Sequence, residues 1–436
     1  MNARRTRRPG RGSATAEPQW VSRRVLCALL LVLAAAIAGA YWVEIVTDTL
    51  DRPDVGAASI EPEFFRYTEG HNFDFYQYYA AGHNWSLGLD PYTNHPDDPR
   101  VLPHPRHEDK SISGWIYPPA SLPVFAALAD LSYNSARYVW FAITLGFLAA
   151  SMAIAVLVTP GRRLEILTGC VLLTVCSYPL LFHVHQGQID LVVGGLTVSA
   201  FLLYPRWRGW PSAALLAAAI LLKLTPALLL VVMVLYFRDV RFLVKTLVCL
   251  VTGVALSLLA ISPGLYWEYV TNILPRMSAT DPSRFNQTLV RFWSGFPVMA
   301  RALSAFGYLA ALFLAYVSGR NRLRIPEADR VVEPQTEGRA ILLFALLMTL
   351  MFSPLAWQMA YAMTIVPVAV LLVASPPRTA PWAPVGLVVG AAFMSSKIYD
   401  VQVLNLLNVL GAGIAVLCLI RYYLPLSTAE ASSLEG

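Results

Sequence analysis

The residues that could do chemistry begin with Asp74, set among aromatics in Asn72-Phe73-Asp74-Phe75-Tyr76-Gln77-Tyr78-Tyr79-Ala80-Ala81-Gly82. A carboxylate in such surroundings can have its pKa raised and act as a general base, although a solvated loop acid is the plainer reading. Tyr117-Pro118-Pro119 reads first as a helix-entry device, because proline biases its predecessor towards extended backbone and is tolerated in a first helical turn. His183-Val184-His185-Gln186-Gly187-Gln188-Ile189-Asp190 lies where one apolar run ends and the next begins. Histidines two apart diverge on a helix, which argues against a metal pair. Gln186, Gln188 and Asp190 are costly at a membrane boundary and suit a cavity wall, unless Asp190 simply faces water at a helix end. Lys223, in Leu222-Lys223-Leu224-Thr225-Pro226, either meets an anionic phosphate or snorkels to the interface.

Two further groups complete the set. Arg276, Arg284 and Arg291 accompany Asn286-Gln287-Thr288 and could supply charge-assisted hydrogen bonds to a phosphate, or be ordinary surface arginines. Ser353-Pro354-Leu355-Ala356-Trp357-Gln358 precedes Tyr361. Trp357 either stacks on a sugar or belongs to an interfacial aromatic belt.

The elements that must position these residues are membrane helices. Hydrophobic residues make up 56% of the 436-residue chain and charged residues 14%, where a soluble fold would carry about a quarter charged. Mean hydropathy is +0.54. The net charge of +6 lacks the dense basic patch with aromatics that nucleic acid requires, so no nucleic-acid partner is expected. The cysteines Cys27, Cys170, Cys176, Cys249 and Cys418 follow no zinc or disulfide spacing. Apolar runs fall at 25–43, 136–158, 164–182, 187–204, 210–222, 225–237, 242–261, 298–317, 339–353, 357–375, 381–396 and 402–420. The first is long enough to be a retained helix in place of a cleaved signal. Ala120–Leu131 is short for a span and suits a re-entrant or interfacial helix, and Leu221–Pro226 divides either two short helices or one kinked one.

The distribution of arginine orients the chain. With residues 1–24 inside as a basic tail, the inner segments carry Arg162-Arg163, Arg206–Arg208, Arg238–Arg241, the loop 318–338 and Arg339, Arg378 and Arg421, with 422–436 as a second inner tail. The loop 44–115 falls outside with thirteen acidic residues against five basic ones. Asp74, Tyr117, His183–Asp190, Lys223, the loop 262–297, Ser353–Gln358 and Lys397–Asp400 then share the outer face. The expectation is an all-α polytopic membrane protein of about twelve spans, one domain over 25–421, with short amphipathic helices in its first outer loop.

In their order these pieces resemble the bacterial polytopic glycosyltransferases of family 87, of the GT-C class. The matching elements are Phe73-Asp74-Phe75-Tyr76 with Ala80-Ala81-Gly82, then Tyr117-Pro118-Pro119, Gly187-Gln188-Ile189-Asp190, Leu222-Lys223-Leu224-Thr225-Pro226, Asn286-Gln287, and Ser353-Pro354 with Trp357. The resemblance implies a bacterial plasma-membrane enzyme with both termini cytoplasmic and its site outside. It would move a sugar, mannose by first preference and arabinofuranose as the alternative, with inversion from polyprenyl phosphate to a lipid-linked or envelope glycan. Asp74 would be the base. Lys223, Arg276, Arg284 and Arg291 would face the donor phosphate. Tyr78, Tyr117, His185, Gln188, Asp190, Asn286, Gln287, Trp357 and Gln358 would line the cavity, among membrane lipids. No cofactor is implied with certainty; a divalent cation is compatible with the acidic loop. Two departures stand out. Members commonly carry Ser-Trp-x-His-His where this chain has Ala356-Trp357-Gln358-Met359-Ala360-Tyr361, and Asp190 stands where an Asn is frequent. A lipid-linked-sugar transporter and a non-catalytic accessory subunit are the competing classes. A transporter predicts polar residues on both faces.

Overall fold

The computed structural model describes residues 73–93, 115–207, 209–277, 286–324, 334–354, 358–374, 383–395 and 407–424, with Val32, Arg100 and Ala356 besides. The expected first span at 25–43, most of the outer loop 44–115, Arg284, Trp357, the side chain of Gln358, and Lys397–Asp400 lie outside the described residues.

The described chain is helical. Helix α1 (Phe73–Ser86) is followed, after Tyr117, by a 3-10 turn (Pro119–Ser121) running into α2 (Leu122–Ala129). Then come α3 (Tyr133–Val158), α4 (Arg163–Val175), α5 (Tyr178–Gln186), α6 (Asp190–Trp207), α7 (Trp210–Leu222), α8 (Pro226–Phe237) and α9 (Val240–Ser257). The segment after α9 holds α10 (Pro263–Glu268) and a π turn (Tyr269–Ile273), and α11 (Pro297–Arg324) and α12 (Pro334–Phe352) follow. A 3-10 stretch (Gln358–Thr364) leads into α13 (Ile365–Val373), and α14 (Ala383–Met394) and α15 (Leu407–Tyr422) close the bundle.

Each apolar run from 136 onward falls on one of these helices, except the run at 164–182, which two of them share. Three of them, α3, α9 and α11, are long and apolar enough on their own to cross a membrane. The 26 residues of α3 reach about 39 Å at ~1.5 Å per residue, against a hydrocarbon core of about 30 Å. The run at 164–182 is broken instead of continuous: α4 and α5 meet at 64° around Cys176-Ser177 and pass the same test only as a pair. Leu221–Pro226 separates two helices. Lys223 takes an extended conformation (φ −156°, ψ 133°), and Pro226 occupies the first position of α8, where its missing N–H costs nothing. Ala120–Leu131 contains α2, which packs against α1.

Sidedness of burial sorts the helices. From Ala340 to Met348 every side chain of α12 is buried, and α6 is buried in the same way from Leu191 to Val193 and from Leu196 to Leu202. A helix apolar all round must be enclosed by others, so α6 and α12 form the centre of the bundle. By contrast α9 exposes Val240, Val244, Leu247, Val248 and Val251, an apolar stripe suited to lipid.

A second, aromatic core lies around α1 and α2. Phe75, Tyr78, Tyr79, Trp115, Tyr117, Phe125, Tyr133 and Trp140 pack together, with Tyr78 to Phe125 at 4.9 Å and Phe125 to Trp140 at 5.1 Å between ring centroids. Such pairs contribute about 0.5–1.5 kcal/mol each beyond their buried area. The backbones of α1 and α2 touch at Gly82, where a Cβ would lie 2.3 Å from the carbonyl carbon of Phe125. Backbone cannot swing aside as a side chain can. Gly82→Val is expected to lower stability by about 1–3 kcal/mol or more through overpacking. Thermal unfolding of the purified protein checks this, and an unchanged midpoint would show that α1 does not depend on that contact.

Candidate active site

The site is assembled from the first turn of α1, the Tyr117 segment, and the turn between α5 and α6. Asp74 and Tyr78 stand four residues apart, so one face of α1 presents both. Asp74 lies near the positive end of its helix, a favourable place for a carboxylate.

The α5–α6 turn is tightly specified. Gly187 ends α5 at φ +69°, and the N–H groups of Gly187 and Gln188 both donate to the His183 carbonyl, at 2.9 and 3.3 Å. A Cβ on Gly187 would sit 2.6 Å from Cβ of Phe75, so both backbone conformation and space call for glycine. The Gly187 carbonyl accepts from Trp140 Nε1 at 2.7 Å, and the Trp140 ring stacks on Phe75. At the start of α6, Leu191 N–H donates to Nε2 of the fully buried His183 at 3.0 Å. His183 thus caps a helix, and His185 lies half-buried beside it on α5.

This turn aims Gln188 at Asp74. Gln188 Nε2 donates to Asp74 Oδ2 at 2.5 Å over a separation of 114 residues. Tyr78 Oη donates to Gln188 Oε1 at 2.7 Å, Tyr117 Oη lies 3.2 Å from the same oxygen, and the two phenol oxygens are 2.8 Å apart. Asp74 is 4% exposed and Gln188 7%. Burial, followed by each other and by the nearby carboxylates, pushes the Tyr78 phenol well above its usual pKa; for Tyr117 burial leads, then Asp190 and Asp74. Both hydroxyls therefore keep their protons. Tyr117 is itself held by its backbone: Tyr92 Oη donates to its carbonyl at 2.7 Å.

Asp190, buried at the first position of α6, pairs with Lys223 at 2.6 Å, and the Lys223 ammonium stands 5.9 Å from the Tyr117 ring centroid. Tyr117 is thus a shared wall between the Asp74 and Asp190 groups. The other expected residues are placed differently. Asn286 is fully buried, donates to the Pro354 carbonyl at 3.0 Å and accepts from Ala356 N–H at 3.3 Å. Gln287 N–H donates to the Ala356 carbonyl at 2.9 Å, and its own carbonyl accepts from Tyr361 Oη at 2.9 Å. Arg291 donates to the Asn286 carbonyl at 3.2 Å. These contacts clamp the 286–291 segment to the Ser353–Ala356 segment. Arg276 is exposed and acts electrostatically on Glu268. Among the described residues, no three of His, Cys, Asp and Glu converge to hold a metal ion.

Trp140, His183 and Tyr92 acquire roles that the sequence does not announce. Trp140 sits inside an apolar run where an aromatic reads as packing, and Tyr92 lies in a loop without periodicity. Residues 115–332 match the profile of Glycosyltransferase family 87, half of the chain. The chain belongs to that family, and its class is therefore glycosyltransferase. A polyprenol-phosphate-mannose-dependent alpha-(1-2)-phosphatidylinositol mannoside mannosyltransferase of Mycobacterium tuberculosis (strain ATCC 25618 / H37Rv) is 30% identical over 177 residues, covering 37% of this chain and 40% of the relative. The family match takes in Tyr117, Gln188, Asp190 and Lys223 and begins after α1.

Two outcomes follow from this geometry. Lys223→Met leaves the buried Asp190 carboxylate unpaired, which costs about 3–5 kcal/mol for a buried pair, towards the lower end here because the Lys223 side chain is 20% exposed. The double variant with Asp190→Asn should regain most of that loss in chemical unfolding. Full stability of Lys223→Met alone would show that the pair holds nothing in place. At the segment after α9, burial and then the neighbouring Asp90 raise the Glu268 pKa, and the two carboxyl groups share a hydrogen bond. An acid raised on folding binds a proton more tightly in the native state. Its contribution is full below the ordinary glutamate range and is lost as pH rises through the raised value. Glu268→Gln should flatten the dependence of the unfolding midpoint on pH above ~4.5; a slope equal to wild type would remove the pair from this role.

Proposed function

We propose that the protein transfers a sugar, mannose by preference, from polyprenyl phosphate to a lipid-linked or cell-envelope glycan on the outer face of the bacterial plasma membrane. Asp74 is the general base in this reading. It takes the proton of the acceptor hydroxyl as that oxygen bonds to the anomeric carbon. The bond from that carbon to the phosphate oxygen breaks with its electron pair, and polyprenyl phosphate departs. Displacement from the opposite side inverts the anomeric centre. The donor brings its own anionic leaving group, so no nucleotide-binding loop is needed.

One observation carries the reading: a carboxylate held in a buried network of one amide and two phenols, next to the Lys223–Asp190 pair. A carboxylate that only faced solvent would not need three polar side chains from three segments to hold it. Lys223 supplies countercharge for the phosphate, with Arg276, Arg284 and Arg291 as further candidates for that role. The mannose preference draws on the similarity to the mycobacterial mannosyltransferase.

Transfer from polyprenyl-phosphate mannose to extracted membrane glycolipids tests this, with wild type and Asp74→Asn purified in parallel. The variant should fold normally and lose about 10²–10⁴-fold in kcat, the usual contribution of a general base. Equal rates would make Asp74 structural. Success with an arabinofuranosyl donor alone would keep the mechanism and change the sugar. Failure of wild type with every lipid-phosphate donor would leave the enzyme reading without support.

A further inference from the structure

The hydrogen atoms of the Asp74 network can be assigned by counting. Each phenol has one proton to donate. Tyr78 Oη and Tyr117 Oη stand 2.8 Å apart, and both lie within hydrogen-bond distance of Gln188 Oε1. If Tyr78 donates to the amide oxygen, Tyr117 donates to Tyr78 or shares its proton with the same oxygen. If Tyr78 donates to Tyr117, then Tyr117 donates to the amide. With the amide oxygen facing the phenols, each of these arrangements delivers a phenol proton to Oε1, and the amide nitrogen faces Asp74.

The reverse orientation is unfavourable for a definite reason. It would put Oε1 against Asp74 Oδ2 at 2.5 Å, two acceptors in contact unless the carboxyl carried a proton. The position of the amide and the charge state of Asp74 are therefore coupled. We infer that Gln188 is a positioning residue, which the two phenols hold so that its N–H₂ group fixes Asp74 as an aimed, proton-accepting carboxylate. The inference rests on the reading of Asp74 as the general base, and it gives Gln188 a different task from a sugar contact.

The surrounding charges do not supply this by themselves. Among the described residues, Tyr78 from its own helix and Tyr117 from the segment before α2 feel the charge of Asp74, and Asp190 from the start of α6 acts on the same two phenols. Asp190 is neutralised by Lys223, with His183 behind it on α5. Among them Asp190 is a like charge, and Lys223 is already engaged. The amide is the neutral donor placed on the carboxylate itself, and burial raises the value of that hydrogen bond.

The experiment is the pH dependence of kcat from pH 5 to 9 for wild type, Gln188→Leu and Tyr78→Phe, with the donor KM measured at each pH. Removing a hydrogen bond to a charged carboxylate should move the acid limb upward by about one pH unit. Gln188→Leu should thus be slowed about tenfold on that limb, recover towards wild type above it, and keep its donor KM. Tyr78→Phe loosens the amide while leaving it in place, and should shift the limb the same way by less. This second variant keeps the test open if Gln188→Leu fails to fold. An acid limb at the wild-type position in both variants overturns the inference, as does a raised KM with a pH-independent loss, which would mark a sugar contact. A fully active Asp74→Asn would instead bring down the base reading, and that result is separate from either outcome at Gln188.

Discussion

A carboxylate that is 4% exposed cannot be left to itself, and this protein answers that constraint with an amide donor brought from 114 residues away. Burying an unpaired ionised group costs far more than any single contact returns. The amide of Gln188, reaching Asp74 at 2.5 Å, is therefore the contact around which the part of the molecule near α1 is arranged. It needs the α5–α6 turn to pass close under α1, and that approach is possible only because Gly187 lets Phe75 rest against the backbone. Trp140 then fixes the turn from a third side by donating to the Gly187 carbonyl. Aromatic packing, a left-handed glycine and a polar network are in this way parts of one arrangement.

The same arrangement explains the two cores. Around α12 and α6 the side chains are mostly aliphatic and enclosed, as a helix apolar all round demands. Around α1 and α2 they are aromatic, and many carry a polar end. Tyrosine and tryptophan can be buried while their hydroxyl or N–H reaches a partner. Tyr78, Tyr79, Tyr92, Tyr117 and Trp140 all do so, at Gln188, the Leu131 carbonyl, the Tyr117 carbonyl, Gln188 and the Gly187 carbonyl. A purely aliphatic cap would have left Gln188 without the phenols that hold its amide on Asp74.

Much of this was legible in the sequence, and the limit has a physical cause. Apolar period and length mark the helices from 136 onward to within a few residues, because burial along one segment is a local property. The residues Asp74, Tyr78, Tyr117, Gln188, Asp190 and Lys223 also stand out by type and setting. What pattern cannot give is their pairing, since contacts across 33 to 114 residues depend on how helices cross. The break at Cys176-Ser177 is likewise hidden within an apolar run that reads as one span. Asn286 and Gln287 show the converse: a conspicuous polar pair whose described contacts are a clamp between two segments, with backbone groups as partners.

Lys223 bears most directly on how the proposed reaction would be balanced electrically. A lipid-phosphate sugar is a phosphodiester with one negative charge, and the phosphate that leaves is a monoester carrying more. The demand for countercharge therefore grows as the bond breaks, and a cation is worth most where it meets that developing charge. Lys223 has three donors, and its described ion pair with Asp190 Oδ1 uses one of them. Asp190 holds the ammonium at the end of α7, while the side chain stays 20% exposed. A lysine so held pays little entropy to meet an arriving phosphate, and it need not be desolvated from bulk water when it does. In the proposed reaction Asp190 and Gln188 would do parallel work from one turn, the first steadying the Lys223 ammonium and the second the Asp74 carboxylate.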